Sequence, residues 1–223
     1  MRFLCLHGTG TNSRIFETQT AALRYELGDH HKYEFVEGTH PTDIAPELRE
    51  NFSMVDEFFA YADFEDPDSC AAALGQLDSY IAAEGPFDGV IAFSQGAALA
   101  VAYLAQKWMQ NSSSERLSPT FKCAVLFSSR NAYEPTLQLL AATPSPVASP
   151  ESDIIQIPTA HIWGRNDLET DMTDVMRLCT SDGRETYVHD GGHEVPGARM
   201  TAAVRASVQM IRRVVSSALY KQM

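Results

Sequence analysis

Positive charge is scarce in this 223-residue chain, where 17 Lys and Arg stand against 29 Asp and Glu for a formal net charge of −12. A field of that sign repels phosphate backbones and anionic membrane surfaces, so neither nucleic acid nor a membrane is expected as a partner. Long apolar runs are missing too. The most apolar stretch, 89–105, is interrupted by Ser94, Gln95 and Gly96 and falls short of the ~20 residues that a membrane helix requires. The N-terminal residues offer only Phe3 to Leu6 before His7, too short an apolar region for a secretory signal. Cysteine is sparse as well: Cys5, Cys70, Cys123 and Cys179 lie far apart, without the paired spacing of a zinc site or the density of a disulfide scaffold. A reduced, cytoplasmic setting is expected, with the thiols as small core residues. What is present, 44% hydrophobic and 21% charged residues, suits a globule able to bury a sizeable core, and the length predicts one domain over 1–223.

Short runs rich in β-branched and aromatic residues alternate with longer segments of helical period, which is the pattern of an α/β fold. Strands are predicted at 2–6, 33–37, 88–93, 122–128, 159–163 and 185–189, most of them apolar on both faces as in a parallel sheet. A helix over 12–27 places Phe16, Leu23 and Leu27 on one side; another opens at Asp66-Pro67, runs through Leu74, Leu77 and Ile81, and stops at Gly85-Pro86. A small-residue helix is predicted over 97–108. The last helix, from Gly197 to about Tyr220, aligns Met200, Val204, Val208, Ile211, Val215 and Leu219 in one packing stripe. The fold class is thus a mostly parallel sheet of about six strands with helices on both faces. Two stretches break the alternation, an aromatic-rich insertion at 39–65 and a proline-rich connection at 131–158, and loops of that length are usually functional or disordered.

The chemistry concentrates at Ala92-Phe93-Ser94-Gln95-Gly96, where the strand ending at Phe93 runs straight into a helix, the context of a nucleophile elbow. So tight a turn requires small neighbours and lifts the Ser94 hydroxyl over a helix N-terminus, where a developing oxyanion is favoured. Ala92 stands where the usual pattern has Gly. The alternative is a Ser-Gly pair that merely opens a Rossmann-like helix. Asp167 and His193 follow in the chain order Ser, Asp, His, each just after a predicted strand. Asp167 could instead cap a helix beginning near Leu168, and His193 alone would be an ordinary loop histidine. Gly191 and Gly192 would let the backbone carry its imidazole to a neighbouring loop. The rival histidines are placed less well: His161 inside a strand, His189 at a strand end, and His30, His31 and His40 before or beside the insertion. Together Ser94, Asp167 and His193 read as nucleophile, orienting carboxylate and general base. His7-Gly8-Thr9-Gly10 reads as the second half of an oxyanion hole, the Thr9 N–H joining the Gln95 N–H. As a phosphate loop the same residues lack the third glycine, position 13 being Ser, and no Lys follows. Chemistry of this kind needs no metal and no organic cofactor.

These residues resemble the family serine hydrolases, the FSH group of small α/β-hydrolases known chiefly from fungi. The matching landmarks are Leu4-Cys5-Leu6-His7-Gly8, then Gly85-Pro86-Phe87-Asp88-Gly89-Val90 leading into Phe93-Ser94-Gln95-Gly96-Ala97-Ala98, then Trp163-Gly164 to Asp167, and Gly191-Gly192-His193 with Val195-Pro196. The resemblance implies an α/β-hydrolase fold with Ser94, Asp167 and His193 as its triad. Thioesterases of that group, such as the one in lovastatin biosynthesis, imply release of a polyketide or fatty acyl chain from the acyl carrier domain of a polyketide synthase. A carboxylesterase acting on small free esters or lactones fits the same triad. A non-catalytic binding protein of this fold is the third class, disfavoured by the intact Ser, Asp and His set. For the acyl chain, Phe58, Phe59 and Tyr61, among the aromatics of the insertion, are candidate lid residues, with a small satellite core as the alternative. For a carrier phosphate, Arg14, Arg130 and Arg165 follow predicted strand ends on the edge that holds Ser94; the alternative is ordinary solvated charge, or local pairing of Arg165 with Asp167 or Glu169.

Overall fold

Successive side chains of a strand point to opposite faces, and where both sets are apolar the sheet must be covered on both sides. The computed structural model, which describes residues 1–49, 57–129, 153–168 and 172–220, shows that solution. In chain order the elements are β1 (Arg2–Leu6), α1 (Ser13–Gln19), α2 (Ala21–Leu27), β2 (Lys32–Val36), β3 (His40–Pro41), β4 (Phe59–Ala60), α3 (Pro67–Glu84), β5 (Gly89–Phe93), α4 (Gln95–Leu117), β6 (Cys123–Phe127), β7 (Thr159–Gly164), α5 (Met172–Leu178), β8 (Arg184–His189) and α6 (Thr201–Tyr220). Six strands form one parallel sheet in the order β2-β1-β5-β6-β7-β8. On one face Leu4, Leu6, Val90, Ala92, Ala124 and Leu126 pack against α3, α4 and α5. On the other, Phe3, Cys5, Ile91, Phe93, Val125 and Ile162 pack against α1, α2 and α6. The central strands β5 and β6 are buried throughout, whereas the edge strands β2 and β8 are only partly covered.

Three elements differ from their sequence pattern. The segment 12–27 is two helices: Asn12 caps the first by accepting the Ile15 N–H, and the Thr20 hydroxyl donates back to the Phe16 carbonyl at the break, a competition that Thr commonly offers a helix backbone. The helix expected over 97–108 begins at Gln95 and continues to Leu117 through a kink at Asn111, whose side chain accepts the Ser114 N–H and caps the second part. The last helix starts at Thr201, after a turn closed by Met200 N–H to the Gly197 carbonyl.

The insertion is stitched to the loop after β1. Its strands β3 and β4 pair antiparallel. Phe59 accepts the Gly10 N–H at 3.0 Å and donates to the Thr11 carbonyl at 2.8 Å, while Ala45 donates to the Gly10 carbonyl at 2.9 Å just before a 3-10 turn at Pro46–Leu48. No helix among the described residues is long and apolar enough to cross a membrane. All four cysteines are free and buried.

Candidate active site

Ser94 lies between the last residue of β5 and the first of α4, with φ 52° and ψ −117°. A non-glycine residue at such a φ is strained by about 1–3 kcal/mol and persists only where its surroundings hold it. Here the Ser94 N–H donates to the Phe127 carbonyl at 3.0 Å, and the Gly96 N–H donates to the His7 carbonyl at 3.1 Å. A Cβ on Gly96 would sit 2.5 Å from the carbonyl oxygens of Leu6 and His7, so glycine is what lets α4 approach the end of β1.

Asp167 and His193 come from the loops after β7 and β8. The two loops are zipped together by Arg165 N–H to the His189 carbonyl at 2.7 Å, Asn166 N–H to the Gly191 carbonyl at 3.0 Å, and the Asn166 amide to the Asp190 carbonyl at 2.8 Å. Gly191 and Gly192 do not use the left-handed conformations open to glycine. Close packing requires glycine at Gly164, where a Cβ would run into the carbonyl oxygens of Gly191 and Gly192, and at Gly191, where it would meet the Glu194 carboxylate and His189 Nδ1. His189, buried at the end of β8, accepts the Gly191 N–H on Nδ1 at 3.1 Å. Burial holds its pKa below the usual histidine range against the opposing pull of Glu194, which keeps it a neutral acceptor.

The outcome is a continuous chain of side chains. His193 Nδ1 is 2.9 Å from Asp167 Oδ2, and His193 Nε2 is 2.9 Å from Ser94 Oγ. The Asp167 side chain is fully buried and that of His193 is 13% exposed. Phe93 lies against the imidazole with ring centroids 5.0 Å apart. Among the described residues the following helix runs over Met172–Leu178. A buried carboxylate can only accept, so it places the imidazole proton on Nδ1 and leaves Nε2 free to take a proton from the serine.

The Gln95 N–H, at the first position of α4, has no acceptor within its own helix. In the β1 loop the Gly10 N–H is taken by Phe59, while the Thr9 N–H has no backbone acceptor among the described residues. Thr9, Ser94 and His193 share a cavity of about 280 Å³ with Gly10, Thr11, Gln19, Phe93, Asp43, Ile44, Ala45, Pro46 and Leu48. A volume near the lower end for ligand sites suits a small substrate portion.

The other residues expected to bind substrate are placed elsewhere. Phe58, Phe59 and Tyr61 do not line this cavity. Tyr61 is buried against His7, ring centroids 4.8 Å apart, and its hydroxyl donates to the Val36 carbonyl and accepts the His7 N–H. Among the described residues of the insertion, Asp43, Ile44, Ala45, Pro46 and Leu48 share the cavity with Ser94. Nothing in the types of Asp43, Ile44, Ala45 or Leu48 marks them as lining; Pro41 before them and Pro46 among them signal only a bent backbone. Arg165, 69% exposed, pairs with Asp190 at 3.2 Å and not with Asp167. Arg130 lies outside the described residues. Among the described residues, no cluster of His, Cys, Asp and Glu is placed to hold a metal.

Comparison with known proteins places this geometry in context. The model of the family described as "Serine hydrolase (FSH1)" matches residues 1–204. The chain is 37% identical over 226 residues to the esterase FPY3 of Fusarium mangiferae, covering 100% of both. It is 25% identical over 222 residues to the esterase citA of Monascus ruber, covering 87% of this chain and 85% of that one. Among solved structures, SOBER1 of Arabidopsis thaliana superposes with a TM-score of 0.58 at 16% identity, over 96% of this chain and 99% of that one. The carboxylesterase of Bacillus cereus gives 0.55 at 14% identity, over 93% and 87%. Both share the α/β-hydrolase fold.

Proposed function

The chain belongs to the serine hydrolase (FSH1) family and is a serine hydrolase, and on that premise we propose that Ser94, His193 and Asp167 are its triad and that it cleaves short-chain acyl esters. The observation that carries the assignment is the unbroken contact from Asp167 Oδ2 through His193 to Ser94 Oγ, 2.9 Å at each step. His193 Nε2 takes the serine proton as Oγ attacks the ester carbonyl. Asp167 holds the tautomer and balances the imidazolium, and the N–H groups of Gln95 and Thr9 receive the oxyanion. His193 then protonates the leaving alcohol, and water activated by the same nitrogen releases the acid from Ser94.

The acyl portion is inferred from the cavity of about 280 Å³, whose described apolar lining includes Ile44, Ala45, Leu48 and Phe93. Asp43 sets a carboxylate in the same lining, so an anionic acyl group is disfavoured. A carrier-bound thioester, as in release of a polyketide chain, is the second reading. It is favoured by Arg165, exposed in the loop after β7 on the edge that carries Ser94, although that guanidinium is already paired with Asp190.

A fluorophosphonate probe is expected to label the parent and spare Ser94→Ala, and Ser94→Ala and His193→Ala should each lose nearly as much turnover as the double variant, because triad members act as a unit. Labelling of Ser94→Ala at the parental rate removes Ser94 as nucleophile. Acetyl and butyryl esters should be turned over faster than decanoyl esters. If Arg165→Glu raises the Michaelis constant for a carrier-bound thioester, more at low salt, and leaves a pantetheine thioester lacking the phosphate unchanged, the second reading takes precedence.

A further inference from the structure

Three segments meet behind the elbow and are tied to one another pairwise. The His7 carbonyl accepts the Gly96 N–H at 3.1 Å, joining the β1 loop to α4. The His7 N–H donates to Tyr61 Oη at 3.0 Å, joining that loop to the insertion. The Gln95 carboxamide closes the triangle: Oε1 accepts the Tyr61 N–H at 2.7 Å and Nε2 donates to the Ala62 carbonyl at 2.8 Å. Just upstream, Phe59 holds the N–H of Gly10 and the carbonyl of Thr11, the two residues that directly follow Thr9. One short stretch, 59–62, therefore grips both halves of the oxyanion hole. Gln95 is 5% exposed, so its amide bonds are made in the interior, where an unmet partner is costly.

We propose that the Gln95 carboxamide is a positioning residue of the oxyanion hole, which clamps the backbone of Tyr61 and Ala62 and so fixes the Gln95 N–H relative to the Thr9 N–H. This rests on the assignment of those two donors made above. Donors aimed at an oxyanion act only if held in place before the charge develops, and a displacement of about half an ångström weakens them. Ser94 is strained, and an elbow under strain needs such an external hold. The insertion is then a brace for catalysis at 59–62 as well as a cavity wall at 43–48. Glutamine suits the role because it presents one acceptor and one donor side by side, matching the N–H and carbonyl that face it.

The test uses two variants of the full chain. Gln95→Glu keeps the size and the acceptor for Tyr61, but turns an oxygen toward the Ala62 carbonyl unless the carboxyl is protonated. Gln95→Met fills the space with no hydrogen bond at all. At pH 8 each is expected to be folded by circular dichroism and to lose roughly 10- to 100-fold in kcat on a butyryl ester, with KM little changed. Binding of a trifluoromethyl ketone, which forms the tetrahedral adduct, should weaken in parallel. As pH falls, the kcat of Gln95→Glu relative to the parent should recover, because the protonated carboxyl donates to Ala62. Gln95→Met should show no recovery. A folded Gln95→Met with kcat within about threefold of the parent overturns the proposal, as does a Gln95→Glu deficit that stays constant with pH. Should Gln95→Glu fail to fold, the kcat and ketone affinity of Gln95→Met decide alone. Failure of the triad assignment would appear separately, as probe labelling of Ser94→Ala with the parental Gln95 in place.

Discussion

Replacing Asp167 by Asn removes one charge and keeps the shape, which makes it the sharpest test of how His193 is held. The Asp167 side chain is fully buried, with Oδ2 2.9 Å from His193 Nδ1. Because a carboxylate cannot donate, Nδ1 must carry the proton and Nε2 must offer its lone pair to Ser94 Oγ, also 2.9 Å away. An asparagine that turns its NH2 toward the ring donates to Nδ1 and moves the proton to Nε2, where the imidazole can no longer act as base. One that turns its oxygen to the ring keeps the tautomer but loses the counter-charge to the imidazolium. The expected loss in kcat/KM is about 10³- to 10⁴-fold, by analogy with the same substitution in other triads, equivalent to roughly 4 to 5.5 kcal/mol of transition-state stabilisation. The melting temperature should hold or rise slightly, since an uncharged isostere no longer carries the desolvation cost of a buried carboxylate. Initial rates on a butyryl ester from pH 6 to 9, paired with a thermal melt, give both numbers. A variant that keeps its fold and more than a tenth of the parental kcat/KM would refute the orienting role.

Two further outcomes concern stability and substrate range. His161 is buried in β7 with Nδ1 unbonded, and burial pushes its pKa down to about 3, so it folds neutral. Its folded pKa lies below the unfolded one, so the unfolded state binds the extra proton and stability falls as pH drops from about 6.5 toward 3; at pH 5 the deficit is roughly 2 kcal/mol. His161→Leu is expected to narrow the gap in melting temperature between pH 7.5 and pH 5, and an unchanged gap would show that another group dominates. Phe58 is buried and does not line the cavity at Ser94. Phe58→Ala should therefore cost about 3 kcal/mol in stability while the butyryl to decanoyl rate ratio stays constant; a loss confined to decanoyl esters would return Phe58 to the substrate wall.

The sheet and the elbow were legible in the sequence because both are local. Runs such as Gly89–Phe93 and Cys123–Phe127 are apolar at every residue and therefore read as central strands, and Ser94 stands where such a run meets a small-residue helix. The chain order of Ser94, Asp167 and His193 named three side chains, and family membership follows from landmarks that span most of the chain. Pattern alone could not supply the contacts. His193 meets residues 26 and 99 positions away, and the meeting depends on the register of β7 with β8 and on close approach at Gly164, whose necessity appears only when the carbonyls of Gly191 and Gly192 lie against it. The aromatics of the insertion have the composition of a lid. Composition carries no direction, however: the backbone pairing of Phe59 with Thr11 and the burial of Tyr61 against His7 make those two residues framework, while Asp43, Ile44 and Leu48 share the cavity with the serine. The Gln95 amide is the plainest case: its place after Ser94 is a matter of sequence, whereas the two backbone groups it clamps belong to a segment more than thirty residues away, brought there by folding alone.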